Sequence, residues 1–205
     1  MENKQLVKYN FKTKPFKHQI DALDASHDKK YFALFMEMGT GKSKVLIDNI
    51  VHLYDRGEIN FALIIAPKGV YRNWVEREIP QHFPDDVPYR VIRWVSNPNK
   101  EQEREIKSVK DAFEGITIFV MNVEIFSTVK GRNVGNWLAK RFGSRGIVAV
   151  DESTTIKNTK SNRTKALVQL SKDFEYSRIL TGSPVTNSPM DVYSQTEFLK
   201  FGVLG

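Results

Sequence analysis

The stretch Met36-Glu37-Met38-Gly39-Thr40-Gly41-Lys42-Ser43 decides how this 205-residue chain can be interpreted. Residues 31–35 before it, YFALF, have the length and aromatic content of a buried strand, and the apolar residues of 44–51 after it recur at helical spacing. A strand, a glycine-bearing turn and a helix start form a phosphate cradle, because glycines let the backbone N–H groups point inward and the helix start adds a positive dipole. The sequence therefore predicts a phosphate loop.

Each part of the predicted loop has its own task in binding a nucleotide. The backbone from Gly39 to Gly41 would surround the phosphates, and Lys42 would supply a mobile charge for the β- and γ-phosphates. Ser43 would hold a magnesium ion through its hydroxyl. Met36 stands where the usual pattern has a glycine. The pattern alone therefore leaves a second interpretation open, a glycine turn between strand and helix with Lys42 and Ser43 solvated.

Composition and charge describe an ordinary soluble globular protein, and we expect one domain over residues 1–205. No apolar run approaches the ~20 residues of a membrane span, and residues 1–5 lack the apolar core of a secretion signal, so we expect no membrane partner and a cytoplasmic location. The chain has no cysteine and its four histidines lack metal-ligand spacing, so a metal should arrive with a phosphate ligand. A net charge of +7 favours a polyanionic partner such as nucleic acid.

Strands and helices are predicted to alternate along the rest of the chain. Apolar runs predict strands at 61–66, 89–95, 116–122, 146–150 and 177–180. Helical spacing predicts helices at 19–26, 70–82, 99–114, 137–142, 164–170 and 191–201. Residues 127–135 are predicted to be a polar, glycine-containing connection. Such alternation predicts an α/β fold, a mainly parallel sheet with helices on both faces.

Ligands of an open parallel sheet gather at the carboxyl ends of its strands. That rule brings together the phosphate loop, Pro67-Lys68, Asn122, Asp151-Glu152 and Thr181-Gly182-Ser183. Nucleotide hydrolysis needs a ligand for a hard cation and a group that orients water, and two adjacent carboxylates on a rigid strand end can divide these tasks. We assign Asp151 to magnesium, through its water shell, and Glu152 to the attacking water. The alternative is that the pair caps the following turn.

These residues resemble the first motor lobe of Swi/Snf-type ATPases, within the superfamily-two helicases. The family's Asp-Glu-Met-Gly-Leu-Gly-Lys-Thr is similar to residues 36–43, which accounts for the missing first glycine, and its Asp-Glu-Ala-His-Arg-Leu-Lys-Asn is similar to 151–158. Its Leu-Thr-Gly-Thr-Pro-Leu-Gln-Asn, with a later aromatic and Phe-Leu, resembles residues 180–187 and 193–199. The adenine-reading segment resembles Phe16-Lys17-His18-Gln19, and motif Ia resembles Pro67-Lys68 with Asn73-Trp74. The resemblance runs from 16 to 199 in the family's order.

The resemblance implies a RecA-like P-loop NTPase lobe that binds ATP and Mg²⁺ and acts on nucleic acid, with duplex DNA as the expected track. Gln19 would contact the adenine edge, since a carboxamide carries a donor and an acceptor side by side. Contacts to the phosphate backbone of one tracking strand are implied for Lys68, Asn122, Gly182 and Ser183. Such contacts would be independent of sequence and sensitive to salt.

Two departures from the family bear on activity. Ser153-Thr154 replaces Ala-His, whose histidine relays the nucleotide state to the third motif. We assign this coupling to Thr154 and Thr181, although a threonine cannot carry the charge of a histidine. Nothing in the chain resembles the arginine-bearing motifs of a second motor lobe. An arginine finger is worth about 10³ to 10⁵ in rate, so we expect these 205 residues to hydrolyse ATP slowly and to need a second RecA-like lobe for full activity.

Three functions stay open on this sequence. The first is one lobe of an ATP-driven translocase on duplex DNA. The second is a nucleotide-gated DNA-binding module that performs no motor work, and a downstream lobe with arginine motifs would separate the first from the second. The third is a small-molecule kinase, which leaves the match in residues 181–199 unexplained.

Overall fold

A computed structural model describes residues 9–185, 189–200 and 202 of the chain. Its strands are β1 (Tyr31–Phe35), β2 (Phe61–Ala66), β3 (Tyr89–Arg93), β4 (Ile116–Asn122), β5 (Gly146–Asp151) and β6 (Tyr176–Thr181). They form a six-stranded sheet in the order β1-β6-β5-β2-β4-β3, and every neighbouring pair is parallel. The first and last strands of the sequence are therefore neighbours, at one side of the sheet.

The central strand β2 shows why this sheet needs helices on both faces. All of its residues are buried. The even-numbered residues pack into one hydrophobic core and the odd-numbered residues into another, as the two-residue period of a strand requires. Because both faces are apolar, each must be covered, and the predicted α/β fold with a parallel sheet and helices on both faces is confirmed.

Two groups of helices cover the two faces. The first face holds α1 (Lys17–Ser26), α2 (Lys42–Asp55), α3 (Tyr71–Asn73), a π-helical turn (Trp74–Glu78) and α4 (Ile79–His82). The second holds α5 (Lys100–Lys107), α6 (Val129–Phe142), α7 (Asn162–Ser171) and α8 (Tyr193–Leu199). In these described segments, no helix has both the length and the apolar character that crossing a bilayer requires.

The connection predicted at residues 127–135 is wrong, because helix α6 already begins at Val129. Thr128 caps it by accepting a hydrogen bond from the N–H of Gly131 at 3.1 Å. The two glycines that suggested a loop are sites of close packing. A Cβ at Gly131 would lie 2.2 Å from the carbonyl oxygen of Ile125, and one at Gly135 would lie 2.6 Å from the Phe126 ring. Glycine here permits contact between elements and does not mark a turn.

Several predicted boundaries also differ from the structure. The helix predicted at 99–114 ends at Lys107 and continues as a 3₁₀ turn, Ser108–Lys110, and the strand predicted at 89–95 ends at Arg93. The helix predicted at 70–82 is interrupted by the π-helical turn. A 3₁₀ turn, Pro189–Val192, precedes α8 where one helix was predicted at 191–201. Residues 186, 187 and 201 of the predicted segments lie outside the described residues.

A buried arginine joins β6 to the chain that leads into β1 and to the helices behind it. Arg178, on β6, is 0% exposed. Its Nε donates to Asn49 Oδ1 at 2.9 Å, and its terminal nitrogens donate to the carbonyl oxygens of Ser26, Lys29 and Lys30 at 3.1, 2.7 and 3.1 Å. Burial lowers the pKa of its guanidinium to about 10, so the group stays charged at neutral pH. This cluster fixes β6 against α1, α2 and the chain that leads into β1.

Candidate nucleotide site and nucleic-acid interface

Three adjacent strands carry the residues of the predicted nucleotide site to one edge of the sheet. In the parallel ladders, Phe35 of β1 pairs with Thr181 of β6, and Leu180 of β6 pairs with Asp151 of β5. The phosphate loop and the acidic pair therefore leave the sheet at the same level, two strands and about 10 Å apart. The segment after β6 lies between them.

The phosphate loop depends on two glycines in the left-handed region. Gly39 has φ +78° and Gly41 has φ +85°, values that L side chains rarely adopt. A Cβ at Gly39 would meet no atom within 4 Å, so its conformation alone requires glycine. Gly41 also has Gln19 Nε2 at 2.3 Å from the place of a Cβ, and α2 begins directly after it at Lys42. The result is an open glycine turn at a helix N-terminus, which fits a phosphate group.

Lys42 lies folded over the loop that carries it. Its Nζ donates to the carbonyl oxygens of Met36 and Glu37 at 3.0 and 3.1 Å, and the side chain is buried. The ammonium group thus sits inside the turn, where it can exchange carbonyl partners for phosphate oxygens. Ser43 follows in the first turn of α2 and is half-buried. This donor set fits a magnesium ion that takes few protein oxygens and several from phosphate and water.

Gln19 connects the predicted adenine segment to the phosphate loop. Its Oε1 accepts from the N–H of Phe16 at 3.0 Å, and its Nε2 donates to the carbonyl oxygen of Thr40 at 3.0 Å. His18 Nε2 lies 2.9 Å from the same oxygen. Both groups of the carboxamide are used inside the protein here, and adenine contact by Gln19 stays a prediction. Phe16 is 69% exposed and stacks on His18, which provides an aromatic surface beside Gln19.

Asp151 is held by hydrogen bonds to both of its carboxylate oxygens. Oδ2 accepts from the indole Nε1 of Trp74 and Oδ1 from the N–H of Glu152, both at 2.9 Å. The residue is 7% exposed. Burial raises the pKa of the Asp151 carboxyl, while the Trp74 hydrogen bond and the charge of Lys42 act in the opposite direction. Sequence reasoning noted Trp74 as an apolar position of a predicted helix and as part of a motif, and gave it no role in the site.

Glu152 has a backbone conformation that glycine normally adopts. Its φ is +47° and its ψ 59°, and among the described residues it is the one non-glycine with positive φ. Its carbonyl oxygen accepts from the N–H of Thr155 at 3.0 Å and so starts the 3₁₀ turn Ser153–Ile156. Such strain costs on the order of 1–3 kcal/mol and concentrates at functional sites. The acidic pair therefore starts a turn and is also held in an unusual geometry.

The residue after the acidic pair is linked to helix α8 through a buried polar bridge. Ser153 Oγ donates to Gln195 Oε1 at 2.5 Å, and both side chains are fully buried. Gln195 Nε2 donates to the carbonyl oxygens of Pro184 and Asp191 at 2.9 and 2.8 Å. The side chain of Gln195 therefore connects the turn that follows the acidic pair to the segment after β6. Sequence reasoning missed Gln195 and gave Ser153 no role.

The segment after β6 packs on the phosphate loop. Met36 donates its N–H to the carbonyl oxygen of Thr181 at 3.2 Å. A Cβ on Gly182 would lie 3.3 Å from Met38 N and 3.4 Å from Met36 O, so this glycine lets the two segments approach closely. Thr181 Oγ1 accepts from the N–H of Ser183 at 3.1 Å. Thr154 lies half-buried on the neighbouring turn, and the coupling roles of both threonines stay predictions.

The residues predicted to contact nucleic acid fall into two groups. Lys68 and Ser183 are exposed at the edge of the sheet, and the carboxylate of Glu124 accepts from the Lys68 N–H at 3.1 Å. Asn122 is buried, and its Oδ1 caps the turn Val123–Ser127 by accepting from the N–H of Ile125 at 3.0 Å. The structure thus gives Asn122 a capping role, and DNA contact by any of these residues stays a prediction.

Comparison with known proteins points to one family. The SNF2-related domain family matches residues 24–205. Protein CHROMATIN REMODELING 20 of Arabidopsis thaliana is 29% identical over 177 residues, which are 82% of this chain and 12% of that protein. Helicase SWR1 of Candida albicans is 30% identical over 166 residues, 80% of this chain and 9% of that protein. The chain therefore spans a small part of the relatives that it matches.

A solved structure shares the fold. The Sulfolobus solfataricus SWI2/SNF2 ATPase core in complex with double-stranded DNA matches with a TM-score of 0.74 and 22% identity, over 98% of this chain and 39% of that one. The parallel six-stranded sheet with helices on both faces agrees with this match. The chain belongs to the SNF2-related domain family of helicase-like ATPases, and its fold is that of the first RecA-like lobe.

Proposed function

We propose that this chain is the ATP-binding lobe of a DNA-dependent ATPase that couples hydrolysis to movement on DNA. The observation that carries the proposal is the convergence of the glycine turn after β1 and the acidic pair at the end of β5 on either side of β6. A phosphate bound at the glycine turn would face the two carboxylates across a gap of about two strand spacings. This arrangement supports phosphoryl chemistry, whereas two separate sites would not.

Each side chain of the site has a definable task in this proposal. Lys42 exchanges its two carbonyl partners for phosphate oxygens, and the loop backbone donates its N–H groups to the same anion. Ser43 and Asp151 would hold magnesium, which when bound neutralises phosphate charge. Glu152 orients the attacking water and accepts its proton. Its left-handed backbone, which also starts the turn Ser153–Ile156, sets the direction in which the side chain leaves the end of β5.

Full activity requires more than this lobe. Stabilisation of the transferred phosphoryl group by an arginine is worth about 10³ to 10⁵ in rate, and we assign this task to a second RecA-like lobe. DNA would be held through its phosphates by Lys68 and Ser183 and by the segment around Asn122 and Gly182. We keep duplex DNA as the proposed track and the cytoplasm as the proposed location. A nucleotide-gated DNA-binding module is the alternative, and hydrolysis separates the two.

Binding of ADP and ATP to the 205-residue chain tests the proposal first. Lys42→Met should weaken binding of the magnesium nucleotide at least tenfold in calorimetric titration, because the loop loses its phosphate-binding charge. Lys140→Met is the matched control: the residue is exposed in the last turn of α6, and the variant loses the same charge. A wild-type chain that binds neither nucleotide, or equal loss in both variants, contradicts the proposal.

Hydrolysis provides the second test. Glu152→Gln should keep nucleotide affinity within about threefold and lower single-turnover hydrolysis by a factor on the order of 10² or more, since the amide cannot accept a proton. The measurement uses protein in excess over labelled ATP, because turnover of the lobe alone is expected to be slow. Unchanged hydrolysis in this variant removes Glu152 from the mechanism. Absence of hydrolysis in the wild-type chain, together with DNA affinity that depends on nucleotide, favours the gated module.

A further inference from the structure

The side chain of Trp74 contacts the site, but no function in nucleotide binding or hydrolysis has been assigned to it. It is 1% exposed, and its indole N–H donates to Asp151 Oδ2 at 2.9 Å. The other oxygen of the same carboxylate accepts from the N–H of Glu152. Two donors from different parts of the chain therefore fix the orientation of one carboxylate. An aspartate with a single donor could rotate about its side-chain torsions, whereas this one is held at both oxygens.

Trp74 reaches Asp151 from an irregular part of the fold. It is the first residue of the π-helical turn Trp74–Glu78, which separates α3 from α4. The turn closes on itself, because Asn73 Nδ2 donates to Glu78 Oε1 at 2.9 Å and the N–H of Ile79 donates to the carbonyl oxygen of Trp74. Turns of this kind are rare and frequently occur at functional sites.

Burial alone does not explain the hydrogen bond. Trp94 is 5% exposed, and its buried indole nitrogen has no hydrogen-bond partner among the described residues. The same fold thus accommodates one buried tryptophan without such a partner. The partner of Trp74 is the carboxylate that would bind magnesium, and it comes from a residue far away in the sequence.

We propose that Trp74 is a positioning residue for the magnesium ion of the bound nucleotide, acting through the Asp151 carboxylate. The inference rests on the proposed function, because it needs a nucleotide with its magnesium. Groups that hydrogen-bond a metal-binding side chain orient it, and a donor such as an indole N–H also keeps a buried carboxylate ionised; loss of such groups typically weakens metal affinity by about 10–100-fold. Lys42 and the loop amides contact phosphate without Asp151. Loss of the indole N–H should therefore affect the dependence on magnesium and leave nucleotide binding without magnesium unchanged.

The test compares Trp74→Phe with the matched control Trp94→Phe, since each removes one buried indole. ADP is bound to each protein, and magnesium chloride is titrated into the complex by calorimetry. Trp74→Phe should raise the half-saturating magnesium concentration at least tenfold with ADP affinity in EDTA unchanged, and Trp94→Phe should change neither. A folded Trp74→Phe protein with wild-type magnesium dependence overturns the inference. If the wild-type chain binds no ADP at all, the proposed function fails, and the inference fails with it.

A spectroscopic measurement keeps the native Trp74 and does not depend on the folding of that variant. The chain has three tryptophans, so the double variant Trp94→Phe, Trp137→Phe leaves Trp74 as the single indole fluorophore. Magnesium added to its ADP complex should change the emission of Trp74, because the hydrogen-bonded carboxylate gains a cation. Addition of magnesium without ADP should give a smaller change. Emission that is unaffected by magnesium while calorimetry shows binding overturns the inference.

Discussion

At the scale of single residues, Gly41 shows how closely the predicted adenine segment fits the phosphate loop. Its left-handed φ and the nearness of Gln19 Nε2 each exclude a side chain, whereas Gly57 after helix α2 combines φ +71° with open space. Gly41→Ala should therefore weaken nucleotide binding at least tenfold by displacing Gln19 and the loop together. Gly57→Ala should lower the free energy of unfolding by about 1 kcal/mol and leave binding unchanged. Calorimetry and urea unfolding distinguish these outcomes, and equal nucleotide affinity in both variants contradicts the prediction.

The protonation of His52 gives a second prediction at this scale. Burial lowers its pKa to about 4, and the neighbouring His27 and Arg56 act in the same direction while Glu58 opposes them. Tyr9 packs on its ring. The folded protein binds the His52 proton only near pH 4, whereas the unfolded chain binds it below about 6.5. Stability contributed by His52 is therefore present above pH 6.5 and is lost as the pH falls from 6.5 to 4, by at most about 1.4 kcal/mol per unit.

Comparison of unfolding curves from pH 4 to 7 for the wild-type chain and His52→Phe checks this. The difference in unfolding free energy between them should grow in favour of the variant as the pH falls. Asp48, whose pKa burial raises to about 6, has the opposite effect over part of this range but is present in both proteins, so its contribution cancels. His18→Gln, at an exposed position, is the control. Parallel pH profiles for wild type and His52→Phe contradict the prediction.

The sequence indicated which residue types form the candidate site, but it did not indicate their hydrogen-bond partners. The glycines, Lys42 and the acidic pair carry their chemistry in local spacing, which a single sequence displays. The bonds from Trp74 to Asp151 and from Ser153 to Gln195 join residues 77 and 42 positions apart. They depend on strand order and on a π-helical turn, neither of which leaves a periodic signal.

At the scale of elements, the link between helix α8 and the turn after β5 is the feature that can be measured directly. Both side chains of the Ser153–Gln195 pair are buried, so Ser153→Ala and Gln195→Leu should each destabilise the protein by leaving a partner unsatisfied. The double variant should be less destabilised than the sum, with a coupling of about 1–2 kcal/mol in urea unfolding. Additive effects would show that the bond contributes nothing to stability.

Helix boundaries show where pattern reasoning fails for elements. The strands were predicted well because both faces of this sheet are buried, which produces continuous apolar runs such as β2 and β4. The start of helix α6 was missed because Gly131 and Gly135 suggest a turn in the sequence. In the folded chain they allow Ile125, Phe126 and Leu170 to approach the helix backbone. A single sequence does not distinguish a glycine that permits a turn from a glycine that permits close packing against a helix.

At the scale of the whole molecule, Arg178 joins the two parts of the chain that form the nucleotide edge. Its replacement by methionine, which fills similar space, should lower the free energy of unfolding by about 3–5 kcal/mol, because Asn49 and four carbonyl groups lose this donor in a buried place. Chemical unfolding measures this effect. Arg141→Met, at an exposed position on α6, should change stability by less than about 0.5 kcal/mol. Similar values for both variants contradict the prediction.

Strand order is the part of the architecture that the sequence did not predict. The alternation of strands and helices indicates a parallel sheet, but many orders satisfy it. The neighbourhood of β1 and β6 depends on contacts such as those of Arg178, which become visible only when residues from both parts of the chain are together. The fold class could therefore be predicted from the periodicity of apolar residues. The relative placement of the site segments could be predicted only from the general rule that ligands bind at the carboxyl ends of parallel strands.

The pairing of β1 with β6 has a consequence for a chain leaving the ribosome. Translation proceeds at about 5–20 residues per second, so β1 and the glycine turn are synthesised on the order of ten seconds before β6, the strand that pairs with β1. During that interval Thr181, whose carbonyl oxygen accepts a hydrogen bond from the N–H of Met36, has not yet been synthesised. The cofactor pocket cannot serve as a template for early folding. Ribosome-bound chains arrested before residue 176 should accordingly be cleaved by protease near β1, with or without added nucleotide.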